Sequence, residues 1–265
     1  MNSSKRRSGA LAALAISALF VSGGLVTSGS SSAFAATQST DVERWVVPQT
    51  QEGGNYWTPE RMVSAVPGDV LIEDNVASAR ESSVEVGQKK KVSKQSRSPK
   101  VTPTAAQQTP VDHIGKVFFT LDGTDYVCSG NAISSANEST VVTAGHCVNS
   151  GPGAFASRFI FVPAYENGSA PFGQWDATEL YAPTQWTSQG DITYDTGFAI
   201  VSSNTSATLS DTVGASGVAF NESRGLTYSA FGYPAAAPFT GETLQSCYGT
   251  ASDDPNGQSE SQGIP

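Results

Sequence analysis

His146 is the residue at which chemistry could begin. It is one of only two histidines in 265 residues and stands in V-V-T-A-G-H-C-V, residues 141–148. The β-branched pair Val141–Val142 predicts a buried strand, and Ala144–Gly145 let that strand stop tightly against neighbouring backbone. An imidazole held at a rigid strand end suits a general base. Cys147 follows at once, and Cys128 lies 19 positions upstream in Y-V-C-S-G-N. A Cys–His thiolate pair is one reading, but the side chains of adjacent residues diverge. The other histidine, His113, precedes I-G-K-V-F-F and reads as a surface or hydrogen-bonded residue. No Cys or Asp stands near either histidine at metal-ligand spacing, so no zinc site and no cofactor are expected.

The octapeptide, with Cys128 placed upstream, resembles the histidine motif of the trypsin-like (chymotrypsin-fold) serine peptidases, in which T-A-G-H-C carries the catalytic base. The resemblance covers about Ile114 to Pro265. It implies a Cys128–Cys147 disulfide that fixes the backbone of the histidine turn. It also implies a carboxylate just ahead of a buried strand, which holds the imidazole tautomer and stabilises the imidazolium. Asp195 in Y-D-T-G-F-A-I-V fits that place, and Asp191 in G-D-I-T is the alternative four residues earlier. Gly232-Tyr233-Pro234 resembles a turn of the glutamyl-endopeptidase-like secreted bacterial branch.

The elements that must position these residues are short strands. Lys116–Thr120 and Tyr126–Gly130 flank the hairpin signal Asp122-Gly123. Strands are also expected at Val141, over Phe159–Pro163, Trp175–Tyr181, Gly197–Val201, Leu226–Tyr233 and Thr243–Tyr248. No amphipathic helix of ten or more residues is evident after residue 109. This pattern predicts an all-β fold, a sandwich or barrel. The resemblance narrows it to the chymotrypsin-like double β-barrel, with a complete first barrel over 109–205 and a partial second barrel over 206–265.

The N-terminal part differs. Lys5, Arg6 and Arg7, the apolar stretch Leu11–Val26 and Ala33-Phe34-Ala35 read as a cleavable signal peptide over 1–35, hence a secreted, extracellular protein. Residues 36–108 mix charges and end in K-K-K-V-S-K-Q-S-R-S-P-K and a Pro/Thr/Gln linker, which reads as a flexible propeptide and linker. Residues 1–108 carry twelve Lys/Arg and nine Asp/Glu, and residues 109–265 carry three and fifteen. An acidic body argues against nucleic acid or an anionic membrane as partner. It leaves room for electrostatic docking of the chain's own basic propeptide. Three cysteines allow one bridge and leave Cys247 over.

The family's nucleophile signature, G-x-S-G-G-P, occurs nowhere in the 265 residues. Gly214-Ala215-Ser216-Gly217 is a partial look-alike and reads as a turn. The chain is therefore read as ending before its catalytic serine. The expectation is a monomeric, secreted serine endopeptidase precursor acting on protein or peptide substrates through an acyl-enzyme, with His146 as base and Asp195 as its orienting acid. Two other readings are a catalytically inactive pseudoprotease that serves as a binding module, and a carbohydrate-binding sandwich using Trp175 and Trp186.

Overall fold

The computed structural model describes residues 41–51, 53–72, 87–95, 110–203, 205–235, 239–253 and 262–263. All belong to the unit Ser39–Pro265. The expected signal peptide over 1–35, and residues 96–108 of the expected propeptide and linker, lie outside the described residues.

A closed six-stranded antiparallel barrel carries the histidine. Its strands are β4 (Ile114–Leu121), β5 (Thr124–Ile133), β6 (Thr140–Thr143), β7 (Ser157–Pro163), β8 (Trp175–Pro183) and β9 (Gly197–Ser202). The order is β8-β7-β4-β5-β6-β9, and β9 pairs back onto β8. The turn Asp122-Gly123 joins β4 to β5 with positive φ at both residues, 48° and 82°. That is the backbone a two-residue hairpin requires, and it sets the pairing of Leu121 with Thr124.

The barrel interior is filled by Val117, Phe119, Ala132, Val141, Phe159, Phe161, Leu180, Ala199 and Val201. Trp175 and Trp186 belong to this core, and the Trp186 indole donates to the Asn149 carbonyl at 2.9 Å. Their ring faces are enclosed and cannot stack on a sugar, which removes the carbohydrate-binding reading.

All eight residues of β4 are buried. Alternation explains only half of that, since Val117, Phe119 and Leu121 face inward. The outward face carries Phe118, which a second cluster covers with Trp57, Met62, Ile160, Val162, Tyr165 and Tyr233. Trp57 and Met62 come from the segment expected to be flexible. Where it is described, that segment is packed and paired instead. β1 (Val42–Val46) pairs antiparallel with β8, β2 (Val66–Pro67) pairs parallel with β5, and β3 (Lys90–Val92) pairs with β10 (Val218–Phe220). Between β1 and β2 lies α1 (Pro59–Ser64), capped by Thr58 and opened by Pro59 at its first turn. The composition of the segment is polar, but its few apolar residues fall where the barrel's outer face needs cover.

Two short helices flank the last barrel strand: α2 (Thr184–Gln189) lies between β8 and β9, and α3 (Leu209–Val213) follows β9. A ribbon of β11 (Thr227–Gly232) and β12 (Gln245–Thr250) follows. Tyr228, Phe231 and Tyr248 are exposed on it. A two-stranded ribbon is marginal by itself. This one is tied to the barrel at its end, where the Tyr233 amide donates to Ser129 Oγ at 2.8 Å and the Tyr233 hydroxyl donates to the Tyr165 carbonyl at 2.9 Å. Among the described residues no helix is long and apolar enough to cross a membrane.

Candidate active site

β6 ends at Thr143, and the chain turns through a short 3-10 turn, Gly145–Cys147. The turn places His146 between β5 and the loop that precedes β9. His146 is 5% exposed. Asp195 sits just ahead of β9, which pairs with β6 in the register Thr143 to Gly197. One sheet pairing thus brings the two sequence-distant residues together. One Asp195 oxygen accepts from the His146 backbone amide at 2.7 Å. The other lies 2.7 Å from His146 Nδ1. The carboxylate is gripped at both oxygens, so the ring cannot rotate without losing a charge-assisted bond.

Gly145 makes this approach feasible. A Cβ there would lie 2.9 Å from Asp195 Oδ1 and 3.0 Å from the Thr196 amide nitrogen. The alternative acid, Asp191, is otherwise employed. It caps the 3-10 turn Ile192–Tyr194, accepting from the Thr193 amide at 3.0 Å.

Cys128 and Cys147 are joined as a disulfide that ties β5 to the histidine turn. The Cys128 sulfur lies 3.8 Å from His146 Nε2. Cys128, His146 and Cys147 bring three potential metal-ligand atoms within 4.8 Å of one another. The two sulfurs are bonded to each other, however, so neither is a thiolate, and one imidazole does not hold a metal ion. Cys247 is exposed on β12, with its sulfur unbonded.

A cavity of about 580 Å³ opens beside His146. Its walls come from β5 (Cys128, Ser129), the end of β6 (Thr143, Ala144) and the ribbon (Phe231, Tyr233). Tyr233, singled out in the sequence only as part of a structural turn, is thus a wall of the cleft. Pro67 and Asp69 also line it. Sequence reasoning missed these two entirely, because they lie in a segment with no motif.

Ser216 is not at this cavity. It forms a bridge with Ile133, and its hydroxyl bonds the Asn131 side chain at 3.2 Å. Among the described residues no hydroxyl is bonded to His146 Nε2. His113 is half-buried, its imidazole pushed below its ordinary basicity by burial. Arranged this way, the site can hold one imidazole as a neutral base whose Nδ1–H is donated to a carboxylate. Nε2 is left for a proton arriving from a reacting hydroxyl.

A family model described as Trypsin matches residues 76–263. The crystal structure of protease Anisep from Arthrobacter nicotinovorans is 62% identical, with a TM-score of 0.58 over 60% of this chain and 73% of that one. A thermostable serine protease, AL20, from an extremophilic microorganism is 50% identical, with a TM-score of 0.56 over 58% of this chain and 72% of that one. The extracellular metalloprotease of Bacillus subtilis (strain 168) is 39% identical over 72 residues. That match covers 27% of this chain, and the chain spans only 22% of that curated relative.

Proposed function

The chain belongs to the trypsin family of serine proteases, and from that we propose that His146 is the general base and Asp195 the orienting acid of a secreted endopeptidase. The nucleophilic serine is then supplied by chain that follows Pro265. The observation that carries this reading is the double grip of Asp195 on His146, through Nδ1 and through the backbone amide.

The chemistry follows from that grip. Nδ1–H donates to Asp195, which fixes the tautomer with the lone pair on Nε2. Nε2 takes the hydroxyl proton as the serine oxygen attacks the peptide carbonyl. The imidazolium then gives the proton to the leaving amine, and an acyl-enzyme remains for water to open. Asp195 stays ionised and stabilises the imidazolium throughout. The Cys128–Cys147 disulfide and the β6–β9 pairing hold the two groups in place before substrate arrives. Residues 36–108 serve as a propeptide, and protein or peptide chains are the substrates.

The test uses the chain extended along its coding sequence through a G-x-S-G-G-P segment, treated with a fluorophosphonate probe. We expect labelling of that serine. Asp195→Asn should slow it by about 10⁴-fold, the scale of losing the correct tautomer. An extended chain that never labels, although folded and disulfide-bonded, would refute the catalytic reading and favour the inactive binding module.

A further inference from the structure

Residues 53–72 run G-G-N-Y-W-T-P-E-R-M-V-S-A-V-P-G-D-V-L-I, and several of them are anchored in turn. The Gly53 amide donates to Asp176 Oδ1 at 2.7 Å. The Trp57 indole donates to the Arg158 carbonyl at 2.6 Å, and its ring meets Phe118 with centroids 5.4 Å apart. The Tyr56 hydroxyl reaches Asp125, which also holds Arg61 at 3.3 Å. These contacts lead the chain into β2, whose Val66 and Pro67 pair with Tyr126 and Val127. The next residue of β5 is Cys128.

Gly68 therefore arrives against the disulfide. A Cβ at Gly68 would lie 2.4 Å from Cys128 Sγ, 3.2 Å from the Val127 carbonyl oxygen and 3.7 Å from His146 Cδ2. Only a residue without a side chain comes this close. The chain then turns at once through Gly68–Leu71, and the Ile72 amide closes onto the Asp69 carbonyl at 3.2 Å.

We propose that Val66–Leu71 is an autoinhibitory plug that occupies the His146 side of the cleft and keeps peptide away from Nε2. The proposal rests on His146 being the catalytic base. Pro67 and Asp69 are walls of the same cavity as His146, so a peptide laid along β5 there meets the plug first. The plug also avoids acting as substrate. The extended stretch before the 3-10 turn is short, Ala65 leading into Val66–Pro67, so no long extended scissile segment crosses the site. Its docking surface is the barrel's outer face, with Trp57 as the seated anchor. Cutting the chain between Gln95 and Pro110 would thus leave the plug in place, and activation needs Trp57 to leave as well.

The experiment uses the full 265-residue chain. His146 is carbethoxylated with diethylpyrocarbonate and followed by peptide mapping, with His113 as internal reference. Trp57→Ala removes the anchor, and Gly68→Val prevents seating without touching the core. Both should raise the His146 rate about tenfold relative to His113, as expected for local detachment. A synthetic peptide of residues 53–72 should restore protection to Trp57→Ala, which a merely unfolded variant would not allow. Unchanged His146 rates in both variants, or no restoration by the peptide, would overturn the plug. In the serine-bearing chain the same two variants should speed fluorophosphonate labelling. Labelling in none of the variants would defeat the serine-protease reading while leaving the protection result standing. Labelling equal in all of them would defeat the plug alone.

Discussion

At the scale of single residues, the site depends on how closely Asp195 can approach the turn that carries His146. Gly145→Ala tests this without touching either charged group. Its methyl would intrude on Asp195 Oδ1 and the Thr196 amide nitrogen. We expect a loss of about 1–3 kcal/mol, the usual cost of forcing packed backbone apart. Chemical denaturation would measure it, and the His146 amide should lose hydrogen-exchange protection in step. A variant as stable as the parent would mean that the turn relaxes freely. The disulfide is the second local restraint. Cys128→Ser should cost about 2–4 kcal/mol through freedom returned to the unfolded chain, and non-reducing peptide mapping should show Cys147 alkylatable only in that variant.

At the scale of elements, β1 is held on β8 by an ion pair that acid should undo. Arg44 lies 2.6 Å from Glu179, and the Tyr181 hydroxyl also donates to that carboxylate. The Arg44 bond, then the Tyr181 bond, hold the Glu179 carboxyl down to about 2, from 4.5. A depressed carboxylate contributes stability that is present above about pH 4.5 and is lost as pH falls towards 2. β1 should therefore loosen on β8 within that window, its backbone pairing still in place. Trp45, stacked on Phe155 at 6.0 Å, gives the fluorescence signal, and Glu179→Gln should abolish the pH dependence.

The buried Lys116 pairs at 3.1 Å with the half-buried Glu242, joining β4 to the loop before β12. Burial pushes the Lys116 amine below its ordinary value despite the pairing, so its charge is costly where it sits. Removing one partner should hurt more than removing both. Glu242→Ala should lose about 3–5 kcal/mol, while Lys116→Met with Glu242→Gln should recover most of it in thermal melts.

At the scale of the whole molecule, the two tyrosines that join the ribbon to the barrel govern alkaline stability. Burial, first of all, raises the Tyr165 and Tyr233 hydroxyls well above their usual range. A raised acid gives stability that is full below the unfolded value, near 10, and is lost as pH climbs past it. Unfolding should steepen above about pH 10, and Tyr233→Phe should flatten that limb. If the variant and the parent share one alkaline profile, the tie between ribbon and barrel lies elsewhere.

Much of the barrel was readable one segment at a time. V-F-F-T-L, F-I-F-V-P and G-F-A-I-V are short apolar runs with β-branched and aromatic residues, and Asp122-Gly123 forces a hairpin, so strands and one turn follow from local preference. The local motif around His146 likewise marks a rigid strand end. Asp191 and Asp195 show where local reading stops. Four residues apart and both near an apolar run, they are separated only by the β6–β9 register, which carries Asp195 to the imidazole and leaves Asp191 capping a turn. The 41–72 segment shows the same limit more strongly. Its composition is that of a polar extension, because Trp57, Met62 and Gly68 are too sparse to form a periodic pattern. What orders them is the uncovered outer face of β4 and a gap beside Cys128 that admits glycine alone. Neither surface exists until the barrel has closed, so no window of sequence contains it.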